Sequence, residues 1–229
     1  MDQLFIWYCT IGRRGNGIPQ NSDIWIRENF FQGKEIEGLS YNWLDYDFLE
    51  HGYPPNDTKL KLPDELYFII QKQKKILFDF LPYRKNLFII SESFKLFVEK
   101  YSKENPLELS KLKIVHKSGK EIEYQKNYYL LRIRTFNDNL FEFTDQGKKP
   151  AAGLRGTYMY PNLNLKNEVL HKIFFLNSFC YRESMIFTSA VKQEIKDNFF
   201  NPEIYKIEDF YLAFNNNNSN RITSLPETV

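Results

Sequence analysis

The segment Leu87–Tyr101, LFIISESFKLFVEKY, changes its hydrophobic period at Ser91. The four residues before Ser91 form an uninterrupted apolar run, which is typical of a buried strand. The residues after it repeat at i, i+3, i+4 and i+7, as on one face of a helix: Phe94, Phe97, Val98 and Tyr101. A serine at this boundary, followed by Glu92 in the first turn, is typical of a helix N-terminus. The segment therefore predicts a strand, a hydroxyl cap and a helix.

A second segment, Ile186–Lys192, repeats this pattern. Its sequence, IFTSAVK, places Thr188 where the first segment has Ser91, and Val191 where it has Phe94. Ile195 and Phe199 continue the helical stripe. Two strand–cap–helix units are too few for a repeat array, which needs at least three stacked units. We therefore predict that both belong to one α+β fold.

Outward from these two units, further short apolar or β-branched runs predict strands. They are Leu4–Ile11, Leu66–Ile70, Ile76–Leu81, Leu112–Val115, Glu121–Tyr124, Tyr128–Arg134 and Lys172–Leu176. The expected fold is α+β, a mixed or antiparallel sheet with the two strand–Ser/Thr cap–helix units packed on it. We expect a single domain over 1–214, a disordered polar tail over 215–229, and a long loop over 147–161.

Composition excludes several classes of protein. The 229 residues carry a net charge of +2, which argues against a surface tuned as a whole to nucleic acid. No apolar run approaches the roughly 18 residues of a membrane span. Cys9 and Cys180 are isolated and lack CxxC spacing, so we expect free thiols and a cytoplasmic protein. Aromatic residues reach 17%, a large reserve for packing.

The residues that usually carry catalysis are few. The three histidines, His51, His116 and His171, show no metal-ligand spacing, and no GxSxG elbow is present. We predict no catalytic residue, metal ligand or cofactor. Asp79, between Phe78 and Phe80, leaves two alternatives open. It is either buried with its neighbours or exposed on the opposite face of its strand.

An acidic and aromatic stretch between residues 35 and 50 is the candidate binding surface. Carboxylates beside Tyr and Trp suit a basic protein partner, because rings anchor a contact and charges steer the encounter. The alternative is an amphipathic segment with its rings packed inward and its acids in water. The candidate residues are Glu35, Glu37, Tyr41, Trp43, Asp45, Tyr46, Asp47, Phe48 and Glu50.

The chain resembles the immunity proteins of bacterial polymorphic toxin systems. Ile76–Leu81, with its Asp79, and Leu87–Lys95, with its Ser-Glu pair, are similar to a passage of those proteins. Asn127–Arg132 and Ile186–Lys192 resemble two later passages, in the same order. The likeness extends over roughly residues 66–214 and leaves out the acidic stretch.

This resemblance implies a protein that binds and neutralises a cognate toxin domain and is not an enzyme. Two other functions stay open from the residues themselves. One is a small cytoplasmic hydrolase or nuclease that uses His51 or His171. The other is a nucleic-acid-binding module that uses lysines such as Lys111, Lys113 and Lys117, although these are interspersed with acids.

Overall fold

A computed structural model describes residues 3–10, 17–33, 40–47, 58–84, 86–102, 107–167, 169–219 and 226–229. The strands, in chain order, are β1 (Leu4–Tyr8), β2 (Ile24–Arg27), β3 (Glu65–Ile70), β4 (Phe80–Arg84), β5 (Leu87–Ser91), β6 (Glu108–His116), β7 (Tyr128–Arg132), β8 (Phe141–Glu142), β9 (Lys149–Pro150), β10 (Tyr158–Met159), β11 (Asn164–Leu165), β12 (Ile173–Phe174), β13 (Ser184–Thr188) and β14 (Ile204–Lys206). The α-helices are α1 (Asn42–Asp45), α2 (Glu92–Tyr101), α3 (Ser189–Asn198) and α4 (Phe210–Asn218). The predicted α+β class is confirmed.

The contacts divide the chain into two compact units. Unit 1 comprises Met1–Arg13, Lys100–Lys103 and Thr135–Val229, and unit 2 comprises Arg14–Glu99 and Glu104–Arg134. The expected domain over 1–214 stays a prediction, and each unit is described by itself.

Unit 2 contains a six-stranded sheet in the order β2-β3-β6-β7-β5-β4. Only the β3–β6 pair in this sheet is parallel, so the sheet is mixed. One face carries a core that includes Phe68, Ile70, Ile89 and Leu130. On the other face, Phe94 of α2 stacks on Phe80 of β4 with ring centroids 5.0 Å apart. The helical stripe predicted after Ser91 is thus buried against the sheet.

Unit 1 contains a four-stranded antiparallel sheet in the order β12-β13-β1-β14. Its core includes Ile6 of β1, Ile186 of β13, Tyr205 of β14 and Phe210 of α4. Two further two-stranded pairs, β9–β10 and β8–β11, belong to this unit. The β9–β10 pair lies inside the expected loop over 147–161, so that stretch contains a short antiparallel pair.

Two predicted strands differ in the structure. The run Ile76–Leu81 becomes strand only from Phe80, because Ile76 and Leu77 bond instead to the main chain of Glu123 and Gly17. The predicted strand Glu121–Tyr124 consists of a single bridge between Glu123 and Lys75.

The last helix continues past Phe214, where the sequence predicted the domain to end. The Asn215 side chain bonds to the main chain of Ala152 and Pro150, and Asn217 donates to the Tyr8 hydroxyl at 2.7 Å. These asparagines are therefore part of an ordered helix, because their amides have specific partners. Disorder in the residues after the helix stays a prediction.

Candidate functional site

The candidate binding stretch forms the short helix α1 in unit 2. Its last residue, Asp45, folds back on the start of the helix and accepts hydrogen bonds from the Ser40 hydroxyl at 2.7 Å and the Tyr41 amide at 3.0 Å. This arrangement satisfies an amide that the first turn leaves unpaired. The Asp45 carboxylate therefore has a structural task as well as a charge.

The aromatic residues of this stretch differ in exposure. The Trp43 side chain is buried in the core of unit 2, with 3% of the residue exposed, and its ring nitrogen donates to Glu28 at 2.8 Å. Tyr41 stacks on Trp43 with centroids 5.5 Å apart and is half-buried, as is Tyr46. The ring of Trp43 therefore anchors the helix, and Tyr41 and Tyr46 are the rings a partner can reach.

The other predicted site residues divide into two groups. Asp47 is described and half-buried. The remaining ones lie outside the described residues: Glu35, Glu37, Phe48 and Glu50. The part of the site that the structure describes is the segment 40–47, called the α1 segment below.

A cavity of about 140 Å³ lies between the α1 segment and the β4–β5 turn. Its lining combines apolar side chains with a loose ion pair between Asp45 and Arg84, whose charged atoms are 3.9 Å apart. Both side chains of the pair are about half exposed, at 46% and 50%. The lining residues are Trp43, Leu44, Asp45, Tyr46, Arg84, Asn86 and Leu87. Such a cavity can hold one side chain of a partner, because its lining offers both charged groups that face solvent and the apolar side chains of Leu44 and Leu87.

Beneath the α1 segment lies a buried arginine, Arg132, for which the sequence predicts only a place in the strand Tyr128–Arg134. Arg132 of β7 is 0% exposed and donates to the main-chain carbonyls of Trp43 and, at 2.7 Å, Leu60. Its charge is balanced by Glu108, with 3.3 Å between nitrogen and oxygen. The interruption of the apolar run Tyr128–Ile133 by one arginine was the available sequence signal.

A second polar cluster in unit 2 resolves the two alternatives for Asp79. The residue is 1% exposed, and its carboxylate accepts one hydrogen bond from the Ser91 hydroxyl and two from the Lys126 ammonium, the latter at 2.7 and 2.9 Å. The Ser91 hydroxyl also accepts a bond from the Phe94 amide at 3.2 Å, which confirms the predicted cap. The Asp79 and Ser91 side chains of the passage that resembles immunity proteins therefore stabilise the start of helix α2.

Other candidate chemistry is placed as follows. Burial raises the pKa of the Cys180 thiol to about 11, so the reactive thiolate is rare near neutral pH. His116 bonds through Nδ1 to the Ser118 hydroxyl at an exposed turn, and the His171 ring lies edge-on to Phe174. His51 is outside the described residues.

Among the residues the structure describes, no group of three metal-ligating side chains comes together, and no helix is both long and apolar enough to cross a membrane.

The fold and the α1 segment are those of an α+β protein with a candidate protein-binding surface. Against known families, the chain matches the model of Immunity protein 43 over residues 10–221, and it belongs to that family. This confirms the resemblance and extends it over the α1 segment. No curated protein matches the chain.

Proposed function

We propose that the protein is a cytoplasmic, non-enzymatic immunity protein that neutralises a cognate toxin domain by direct binding through the α1 segment. The family supports a toxin as partner. The observation that carries the surface is the cavity beside α1, which Asp45, Arg84 and Tyr46 line together with apolar side chains. Charged and aromatic groups around a pocket are the usual composition of a binding hot spot.

The chemistry of the cavity favours a basic side chain of the toxin. The Asp45–Arg84 pair is half exposed and loose, so an incoming arginine or lysine can take over the Asp45 carboxylate while Arg84 turns to water. The Tyr46 ring offers a face for an arginine, and Leu44 and Leu87 contact its aliphatic stem.

The test uses the cognate toxin domain, which is to be sought in the reading frames next to the gene for this protein, and two substitutions at one position. Asp45→Asn keeps an oxygen for Ser40 and Tyr41 and removes the charge, whereas Asp45→Ala removes both. For a charge-steered contact we expect Asn to weaken toxin binding about tenfold, mainly through a slower association rate that is sensitive to salt. Asp145→Asn, at an exposed carboxylate of unit 1, is the matched control.

The result that contradicts this surface is a toxin affinity unchanged in Asp45→Asn and reduced only in Asp45→Ala. Asp45 would then act only through helix α1. If the wild-type protein itself fails to bind the toxin and to protect cells that express it, the proposed function is wrong.

One observation supports a second candidate, nucleic-acid binding. On the sheet of unit 2, Lys113 lies over the Tyr67 ring at 5.8 Å and Lys117 over the Trp25 ring at 5.5 Å. Lysines beside aromatic residues on a sheet can bind single-stranded nucleic acid, although Lys113 is also paired with Glu65. Retention on a polyanion resin that falls steeply with salt, and is lost in a Trp25→Ala variant, supports this candidate.

A further inference from the structure

We propose that Arg132 is a positioning residue for toxin binding, a buried clamp that sets where the α1 segment lies on unit 2. The inference rests on the proposed function for its binding consequence. Its structural consequence can be measured on the protein alone. Arg132 does not contact a partner, because it is fully buried, and it acts through the main chain that it holds.

The clamp joins two points of the chain that are distant in sequence from Arg132. One guanidinium nitrogen donates to the Trp43 carbonyl in α1, and the other donates to the Leu60 carbonyl at 2.7 Å. Trp43 lies within α1, and Leu60 lies in the chain shortly before β3. A planar guanidinium with five donors can hold two carbonyls and a carboxylate at once, which a lysine ammonium cannot do with the same geometry.

Glu108 completes the clamp from the adjacent strand. It faces Arg132 across the β6–β7 pair, where the two residues are in register. Its carboxylate lies 3.3 Å from the Arg132 guanidinium and also accepts a bond from the Leu62 amide at 2.7 Å. The Glu108 carboxylate therefore balances the buried charge of Arg132 and also holds the main chain at Leu62, shortly before β3.

The energetics of a buried pair show what this arrangement contributes. Taking both charges out of water costs about as much as their attraction returns, so an apolar pair of similar volume often gives equal global stability. The apolar pair, however, cannot donate to the Trp43 and Leu60 carbonyls. Arg132 therefore affects the position of the α1 segment more than the stability of the sheet.

The experiment compares amide hydrogen exchange in the full chain and in Arg132→Met/Glu108→Met. We expect the amides of Leu44, Asp45 and Tyr46, which are bonded within α1, to exchange on the order of tenfold faster. Amides of the β5–β7 pair should keep their wild-type protection. Lys113→Met/Glu65→Met, which removes an exposed ion pair from neighbouring strands, is the matched control and should leave α1 unchanged. Arg132→Lys, which retains a charge beside Glu108, should give intermediate exchange and covers the case in which the double variant does not fold.

Affinity for the same cognate toxin domain is measured on the same variants. Faster α1 exchange together with weaker toxin binding supports the inference. Unchanged α1 exchange, or a uniform loss of protection through the sheet, overturns it. Faster α1 exchange with unchanged toxin affinity supports the clamp but overturns the placing of the toxin on the α1 segment, so the two failures are distinguishable.

Discussion

The two units contain the same four-stranded arrangement, but they differ in the chain order of its strands and in the polar contacts at the helix cap. In unit 2 the strand order is β4-β5-β7-β6 with α2 after β5, and in unit 1 it is β12-β13-β1-β14 with α3 after β13. The main-chain bonds also agree. The Ser91 amide donates to the Asp79 carbonyl in unit 2, and the Thr188 amide donates to the Lys172 carbonyl in unit 1. The next amide in each unit also has an equivalent acceptor, since Glu92 donates to the Asn127 carbonyl and Ser189 to the Gln3 carbonyl.

A side-chain contact is repeated as well. Lys95 lies over the Tyr129 ring at 5.0 Å in unit 2, and Lys192 lies over the Phe5 ring at 4.4 Å in unit 1. In each case the lysine is four residues after the cap position. The strand paired with β5 in unit 2 is β7, which follows β6 in the chain. Its counterpart in unit 1 is β1, which precedes the other strands of its sheet. The repeated arrangement is thus permuted in chain order.

A second difference between the two units lies at the N-terminal cap of the helix. In unit 2 the Ser91 hydroxyl caps α2 and bonds to Asp79, which is paired with Lys126. In unit 1 the Thr188 hydroxyl makes no cap bond and is buried without a partner among the described residues. The same backbone therefore forms with or without the polar cluster, which shows that sheet pairing and apolar packing are enough to place the helix.

The largest expected effect is at Asp79. Asp79→Ala leaves Lys126 and Ser91 without their acceptor, and we expect the free energy of unfolding to fall by about 2–4 kcal/mol. Lys126 is 26% exposed, so water relieves part of the loss. Lys172→Ala at the equivalent position of unit 1 should change stability by less than about 0.5 kcal/mol. Urea unfolding measures both, and equal effects would contradict a special role for the unit 2 cluster.

The second prediction is a loss of folding stability at alkaline pH that is caused by Tyr128. Burial, and to a lesser degree the Asp79 charge, raises the pKa of Tyr128 from 10.0 to about 12, against the effect of its bond to the Phe78 carbonyl. The folded protein favours the neutral phenol. Its stabilising contribution is therefore full below pH 10 and is lost as the pH rises to about 12, a total of about 2–3 kcal/mol.

The measurement for Tyr128 is urea unfolding of the wild type and Tyr128→Phe at pH 9 and pH 11.5. Between these values the wild type should lose more stability than the variant. The counterpart of Tyr128 in unit 1 is Leu4, which faces Thr188 as Tyr128 faces Ser91 and has no titrating group. Equal losses in both proteins would show that Tyr128 does not contribute to alkaline unfolding.

The smallest effects come from the two cap hydroxyls, and we expect them to differ in sign. Ser91→Ala removes the cap bond to Phe94 and a bond to Asp79, which should lower the free energy of unfolding by about 1–2 kcal/mol. Thr188→Val removes a buried hydroxyl that has no partner, so stability should stay within about 0.5 kcal/mol or rise. A clear loss of stability in Thr188→Val would mean that its hydroxyl does cap α3.

The sequence predicted the strongly periodic elements and missed those that depend on distant partners. The change of period at Ser91 placed β5 and α2 correctly, since burial of one helical face and of a continuous strand is a local pattern. Ile76–Phe78 has the same apolar character but is not strand, because its amides are bonded to Gly17 and Glu123. No local pattern reports such long-range bonds.

The candidate site shows the same division. The acidic and aromatic composition predicts a binding surface in this segment, which stays a prediction, and the structure places Tyr46 and Asp45 in the lining of a cavity there. Trp43 could not be separated from them by sequence, because rings on a four-residue helix are sorted between core and surface by what lies beneath. Arg132 was missed as a support since its partners, Trp43 and Leu60, are far away in the chain.

The α+β class, the two strand–helix units and the resemblance to immunity proteins could be predicted from the sequence, because each depends on hydrophobic period and short motifs, whereas the predicted cap at Thr188 is wrong. Three other features appear only in the folded chain: the permuted pairing of β1 with β13, the burial of Asp79 beside Lys126, and the attachment of the α1 segment to Arg132. These features join residues that are remote in the chain. A buried charge is tolerated only where the fold brings its partners to it, so its place becomes apparent only once the chain has folded.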